Sequence, residues 1–229
     1  MANFVQIDET KLPQTKGKRT NGMRFYEVDG QAYPSVTTVL NARPKPGLVA
    51  WRKNVGEEAA KWEMGRAARR GSATHTLIEN YLKGEPASTR DVLPLGMFRI
   101  MKPYLDQVEN IHCLETILVS KELTLAGQVD CIAEYNGKLS VIDFKTANKE
   151  RNDAWNKSYY MQCTAYAHMY EEIFGQKIEQ IVIIMGGEDG SSKVFVKQTK
   201  DYMDDLKEEI KYFYDKYNSE NAEAAAQKV

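Results

Sequence analysis

The sequence predicts a single-domain α/β fold: a mixed central β-sheet flanked by helices, with a helical N-terminal part. Three observations carry that expectation. Helix-patterned segments precede a cluster of β-prone runs, a helix then crosses over, and strands resume. Residues 128–135 and 138–146 flank Asn136-Gly137, the dipeptide best suited to the two positive-φ positions of a tight hairpin turn. No repeat or linker divides the 229 residues, a length suited to one sizeable core.

Taken in order, residues 1–22 are polar, with Lys16, Lys18 and Arg19 near two glycines, and read as a flexible N-terminal arm. Residues 23–28 and 31–33 form a small hairpin about Asp29-Gly30. Ser35 caps a short helix over 36–40, Pro44 and Pro46 mark a loop, and 48–54 form a helical piece with Trp51 as a core anchor. The pattern over 57–82 is helical, with Gly65 and Gly71 as candidate breaks and Ala59, Trp62, Ala67, Leu77, Ile78 and Tyr81 as the inward stripe. Ser72, His75 and Glu79 share one face of it.

A linker over 84–91 leads to a helix over 92–109, and the first long strand spans 116–125. After the central hairpin comes a charged loop over 145–157, then a helix over 159–174 that Gly175 closes. Strands at 179–185 and 193–196 and a helix over 199–217 complete a domain spanning 23–217, with 218–229 as a frayed tail.

Composition narrows the function classes. With 42% hydrophobic and 28% charged residues the chain reads as an ordinary soluble protein, without an apolar stretch of the roughly 18 residues that a membrane span needs. The first residues resemble neither a secretion signal nor an Arg-rich transit peptide, which points to a cytoplasmic setting in a bacterium or a phage-infected cell. Cys113, Cys131 and Cys163 are too few and too scattered for a four-cysteine iron–sulfur cluster and read as free thiols. The net charge is −1, yet residues 1–70 hold 13 Lys/Arg against 7 Asp/Glu, while residues 201–229 hold 4 against 8. That asymmetry suits one basic and one acidic face.

The chemistry concentrates on the central hairpin. Residues 139–144 are almost wholly apolar, as in a strand covered on both faces, yet the run ends in Asp143 and Lys145, which alternation sends to the same side. Folding about Asn136-Gly137 puts Asp130 opposite Asp143. Two carboxylates and an ammonium converge at the edge of an apolar sheet, where close carboxylates repel unless a cation or proton lies between them. Oxygen donors with open positions suit Mg²⁺ or Mn²⁺. A plain surface ion pair between Asp143 and Lys145 is the alternative.

The spacing Asp130, twelve residues, Asp143-Phe144-Lys145 across a hairpin resembles the PD-(D/E)xK nuclease superfamily. The run from Val129-Asp130-Cys131 through Val141-Ile142-Asp143-Phe144-Lys145-Thr146 is similar to its RecB-like exonuclease branch, which includes the mitochondrial genome maintenance exonucleases. The resemblance implies a restriction-endonuclease-like core and hydrolysis of phosphodiester bonds with one or two Mg²⁺ or Mn²⁺ ions. It assigns Asp130, Asp143 and the backbone carbonyl of Phe144 to the metal, and Lys145 to the attacking water and the transition-state charge. Gly71 through His75 with Ile78-Glu79 resembles the helix that supplies a histidine ligand, which implicates His75 and, behind it, Glu79. Glu115 matches a glutamate that often approaches the metal, although an exposed strand-end carboxylate reads equally well. Gln162 and Tyr166 resemble the Q-x-x-x-Y helix that holds the catalytic site and DNA.

Ser35 and Thr37 are candidate phosphate donors, though helix capping explains Ser35 equally well. Arg66, Arg69, Arg70, Lys149 and Arg151 are candidates to line a strand channel, and Trp155, Tyr159 and Tyr160 to stack on bases, with core packing as the ordinary role of such aromatics. His112 and His168 lack this context and read as structural. The expectation is an exonuclease on DNA with free ends, single-stranded by preference, in replication, recombination or repair and in company with proteins of those processes. A flap or branch endonuclease, a catalytically silent DNA-binding accessory protein and a small-molecule phosphohydrolase are the alternatives.

Overall fold

The sheet that carries the site is buried on both faces, and the sequence alternation shows why. The computed structural model describes residues 3–226. Strands β1 (Gly17–Thr20), β2 (Met23–Val28) and β3 (Gln31–Pro34) form a three-stranded antiparallel sheet. Helices α1 (Val36–Leu40), α2 (Pro46–Val55), α3 (Glu57–Lys83) and α4 (Val92–Leu105) follow. Strands β4 (Val108–Ser120), β5 (Leu125–Tyr135) and β6 (Lys138–Ala147) then run antiparallel. Helix α5 (Lys157–Phe174) crosses to β7 (Gln180–Gly187), parallel to β6, and β8 (Ser192–Gln198) closes the sheet in the order β4-β5-β6-β7-β8. Helix α6 (Met203–Ala226) ends the described chain.

Along β6 and β7, Val141, Ile181 and Ile183 belong to one core with α5, while Ile142, Phe144, Val182 and Ile184 belong to a second with α3 and α4. A strand covered on both faces cannot alternate with polar residues, which is why these runs read as continuously apolar. The small sheet packs its Tyr26 and Tyr33 on Val119 and Ala126 of the β4–β5 pair. The three cysteines are free and buried. No helix among the described residues is long and apolar enough to cross a membrane.

The helices and strands at the core match the expectation; several surface assignments do not. Gly17–Thr20, expected within an arm, pairs with β2 through a turn at Asn21-Gly22, both at positive φ. Its exposed, charged residues gave no alternation to read. Helix α3 runs through Gly65 and Gly71 without a break, and its stripe is partly different: Ala60, Thr74, Leu77, Ile78 and Leu82 are buried, whereas Ala59 and Trp62 are exposed. Leu77 and Ile78 each contribute about 1.5–3 kcal/mol by burial; in the first half of the helix only Ala60 and Arg70 are buried. Trp51 is half-buried on α2, a helix without a buried residue, and is no core anchor. Helix α4 stops at Leu105 and β4 starts at Val108, earlier than Thr116. Helix α6 continues past Tyr217 to Ala226, and residues 227–229 of the expected tail lie outside the described residues.

Candidate active site

The hairpin fixes three of the site's side chains. Asn136 and Gly137 take φ of 52° and 71° in a two-residue turn, and the register from Tyr135↔Lys138 to Cys131↔Ile142 leads to Asp130 facing Asp143. Asp130 Oδ2 there accepts a hydrogen bond from the Phe144 N–H at 2.9 Å, which locks the carboxylate across the pair. Asp143, 1% exposed, lies 2.6 Å from Lys145 Nζ. Both of its carboxylate oxygens face that ammonium, each at 2.6 Å.

Two further elements bring the remaining donors. Glu115 on β4 faces Asp130 in the register set by Leu114↔Cys131 and Thr116↔Val129, and its φ of 49° is a left-handed conformation uncommon away from glycine. Gln128 Nε2 donates to both the backbone carbonyl and the carboxylate of Glu115, at 3.1 and 2.9 Å. A strained backbone held by a neighbouring amide marks a residue being aimed. From α3, His75 places Nδ1 3.8 Å from Glu115 and 3.7 Å from Asp130, while Nε2 stands 2.7 Å from the Phe144 carbonyl.

One ligand atom each of His75, Glu115 and Asp130 lie within 4.8 Å of one another, a spacing that suits a single cation. An imidazole and two carboxylates form a donor set for a hard or borderline divalent ion such as Mg²⁺ or Mn²⁺, with the lysine-paired Asp143 outside that trio. Nε2–H donation to Phe144 is the outer contact that commonly orients a ligating histidine, and it leaves Nδ1 facing the carboxylates.

The electrostatics fit that role. Burial opposes charge on His75, but Asp130 and Glu115 outweigh it and raise its pKa to about 9. The same carboxylates would favour a bound cation in place of that proton. Burial likewise disfavours charge on Lys145, yet Asp143 and Asp130 hold its pKa above the usual lysine range. Burial pushes the Asp143 carboxyl up, against the pull of Lys145. The Lys145 ammonium also lies 4.9 Å over the Tyr159 ring, whose hydroxyl accepts from Arg151 at 2.7 Å.

The sequence-predicted residues sort by place. His75, Glu115, Asp130, Asp143 and Lys145 converge, and Gln162 and Tyr166 line the adjoining cleft with Asp130, Ser35 and Thr37. A Cβ at Gly127 would meet the Tyr166 hydroxyl at 2.8 Å, so glycine is required for that tyrosine to reach the cleft. Phe144 offers its carbonyl to His75. Glu79 turns away to Lys83 at 2.6 Å. Ser35 caps α1 by accepting from the Thr38 N–H at 3.1 Å. Arg70 is buried against Glu188 and Asn148, and Arg66 pairs with Glu63 and Glu188. Arg69 and Lys149 are exposed. Tyr160 is buried with its hydroxyl on Asp153, whereas Trp155 is 62% exposed. His112 bonds Tyr170 and His168 bonds Glu122, away from the cluster. Sequence reasoning missed Gln128 and Gly127; both precede Asp130 on the same strand, and only pairing with β4 and packing on α5 reveal their use.

Comparison with known proteins gives consistent findings. Residues 45–228 match the PD-(D/E)XK nuclease superfamily. The chain is similar to mitochondrial genome maintenance exonuclease 1 of Homo sapiens, 31% identical over 129 residues that cover 52% of this chain and 38% of that protein. The Mus musculus protein of the same name is 26% identical over 174 residues, covering 69% and 51%, and that of Xenopus tropicalis 25% over 176 residues, covering 69% and 49%. The chain thus spans about half or less of the length of these relatives.

Proposed function

We propose that this chain, which belongs to the PD-(D/E)XK nuclease superfamily, is a Mg²⁺- or Mn²⁺-dependent deoxyribonuclease that digests DNA from free ends, with single strands as the preferred substrate. The observation that carries the reading is the convergence of His75, Glu115 and Asp130 beside the buried Asp143–Lys145 pair. The relatives named as exonucleases support the exonuclease part, and a role in replication, recombination or repair follows from the same likeness.

His75 Nδ1, Glu115 and Asp130 would hold the ion, and Asp143 would join them by turning one oxygen from Lys145 to the metal. A bound divalent ion supplies Lewis acidity toward the phosphate and a more acidic water. Lys145 contributes a fixed cation at the cluster's edge, where charge develops on the phosphate; Asp143 and the Tyr159 face keep its ammonium from swinging away. Gln162 and Tyr166 shape the cleft on the α5 side and offer polar atoms to the strand. Of the basic candidates, Arg69 and Lys149, which are exposed, and the half-buried Arg151 would meet phosphates.

The test is calorimetric titration of Mn²⁺ into the protein beside hydrolysis of an end-labelled DNA. Asp130→Asn should weaken metal binding at least tenfold and abolish hydrolysis. Unchanged affinity and rate in that variant would refute the assignment.

A further inference from the structure

Beyond the catalytic cleft, a second cavity of about 350 Å³ lies between the small sheet, α1 and α6. It is contiguous with the catalytic cleft in its lining, since Arg24 and Thr37 border both. Arg19, Asn41, Lys216 and Tyr217 complete its polar wall. Lys216 has Glu220 at 3.7 Å, but Arg19 and the half-buried Arg24 have no carboxylate within salt-bridge distance among the described residues. Arg43, Arg52, Arg66 and Arg70, by contrast, are all neutralised by glutamates.

A guanidinium without a carboxylate partner is available to an anion, and its planar fork matches phosphate oxygens. The fold holds Arg24 in place at both ends. Its N–H donates to Thr38 Oγ1 at 3.0 Å and its carbonyl accepts from the Ser35 N–H at 2.8 Å. Its stem lies against β1 at Gly17, where a Cβ would come 3.1 Å from Arg24 Cδ. Tyr217, stacked on Phe213 at 5.5 Å, presents an aromatic ring to the same space. Unpaired cations beside an aromatic face are the elements of a single-strand groove.

We propose that this cavity is a second strand subsite, which binds the backbone phosphates of a single-stranded DNA segment on Arg24 and Arg19 and receives a base against Tyr217. The inference deepens the nuclease reading and rests on it for the identity of the ligand. The strand then leaves the scissile position past Thr37 and Arg24 rather than into solvent.

The experiment is fluorescence anisotropy of a labelled oligodeoxythymidylate in EDTA, where no hydrolysis occurs, across a salt series. Arg24→Ala should weaken binding about tenfold and lower the salt slope by about 0.7, the value for one lost single-strand phosphate contact. Arg19→Ala, at an exposed position, should do the same more weakly without touching the fold, and Arg24→Lys should recover part of the slope. Affinity and slope unchanged in both alanine variants, or no binding by the unmodified protein, would overturn the subsite. Arg24-dependent binding by a protein that cleaves no DNA in Mg²⁺ or Mn²⁺ would leave the subsite standing and remove the nuclease reading instead.

Discussion

On one flank of the catalytic edge, Arg66 and Arg70 reach from α3 to Glu188 just beyond β7; on the other, Arg19 and Arg24 line a cavity whose carboxylate, Glu220, pairs with Lys216, and neither arginine forms a salt bridge among the described residues. Both flanks are basic in sequence, and only the first was read as a strand channel. The structure separates arginines that hold the fold from arginines whose charge is still available. A buried guanidinium that already has its carboxylate is committed, because exchanging that partner for a phosphate would strand a second charge. Basic count is therefore a poor guide to nucleic-acid contact, and counter-ion state a better one.

Lys145, paired with Asp143, belongs to neither flank; Lys145→Met should lower the hydrolysis rate about 10²–10³-fold, as loss of one transition-state cation does, with DNA affinity in EDTA retained. Arg70→Ala should cost about 1–3 kcal/mol of stability, since Glu188 keeps Arg66 but loses its buried partner, seen as a lowered Tm, with the salt slope of DNA binding unchanged. If that slope falls instead, the two flanks are alike and the distinction fails. Gly127→Ala should cost about 1–3 kcal/mol and reduce activity, since the new methyl meets the Tyr166 hydroxyl.

The smallest effect concerns pH. His75 is raised to about 9 in the folded protein, so its contribution to metal-free stability is fully present below about 6.5 and is lost as pH rises through 9. Metal binding competes with that proton at Nδ1, so Mn²⁺ affinity should increase between pH 6.5 and 9, and a histidine NMR titration should show the shifted midpoint. A midpoint near 6.5 would show that the carboxylates do not face the ring as described.

The hairpin was legible because its information is local. Turn chemistry, period-two alternation and twelve-residue spacing place Asp130, Asp143 and Lys145 without any knowledge of the rest of the chain. His75 needed the family likeness, since a helix face does not say which strand it meets. Glu115 was ambiguous for a physical reason: its place depends on the β4–β5 register, which shifts between Glu109 and Cys113, and on Gln128 aiming its carboxylate. Arg70 was misleading because an arginine's partner, Glu188, lies far along the chain. The Asn21-Gly22 turn carried the same signal as Asn136-Gly137, but flanking exposed charges hid the strand it joins to β2.

The most direct test of the account offers end-labelled linear and covalently circular single-stranded DNA to the protein in Mg²⁺ or Mn²⁺, with Lys145→Met alongside. Linear DNA should be degraded from its ends while circles survive, and the variant should degrade linear DNA about 10²–10³-fold more slowly. Circles cut as fast as linear strands, or a fully active Lys145→Met, would contradict it.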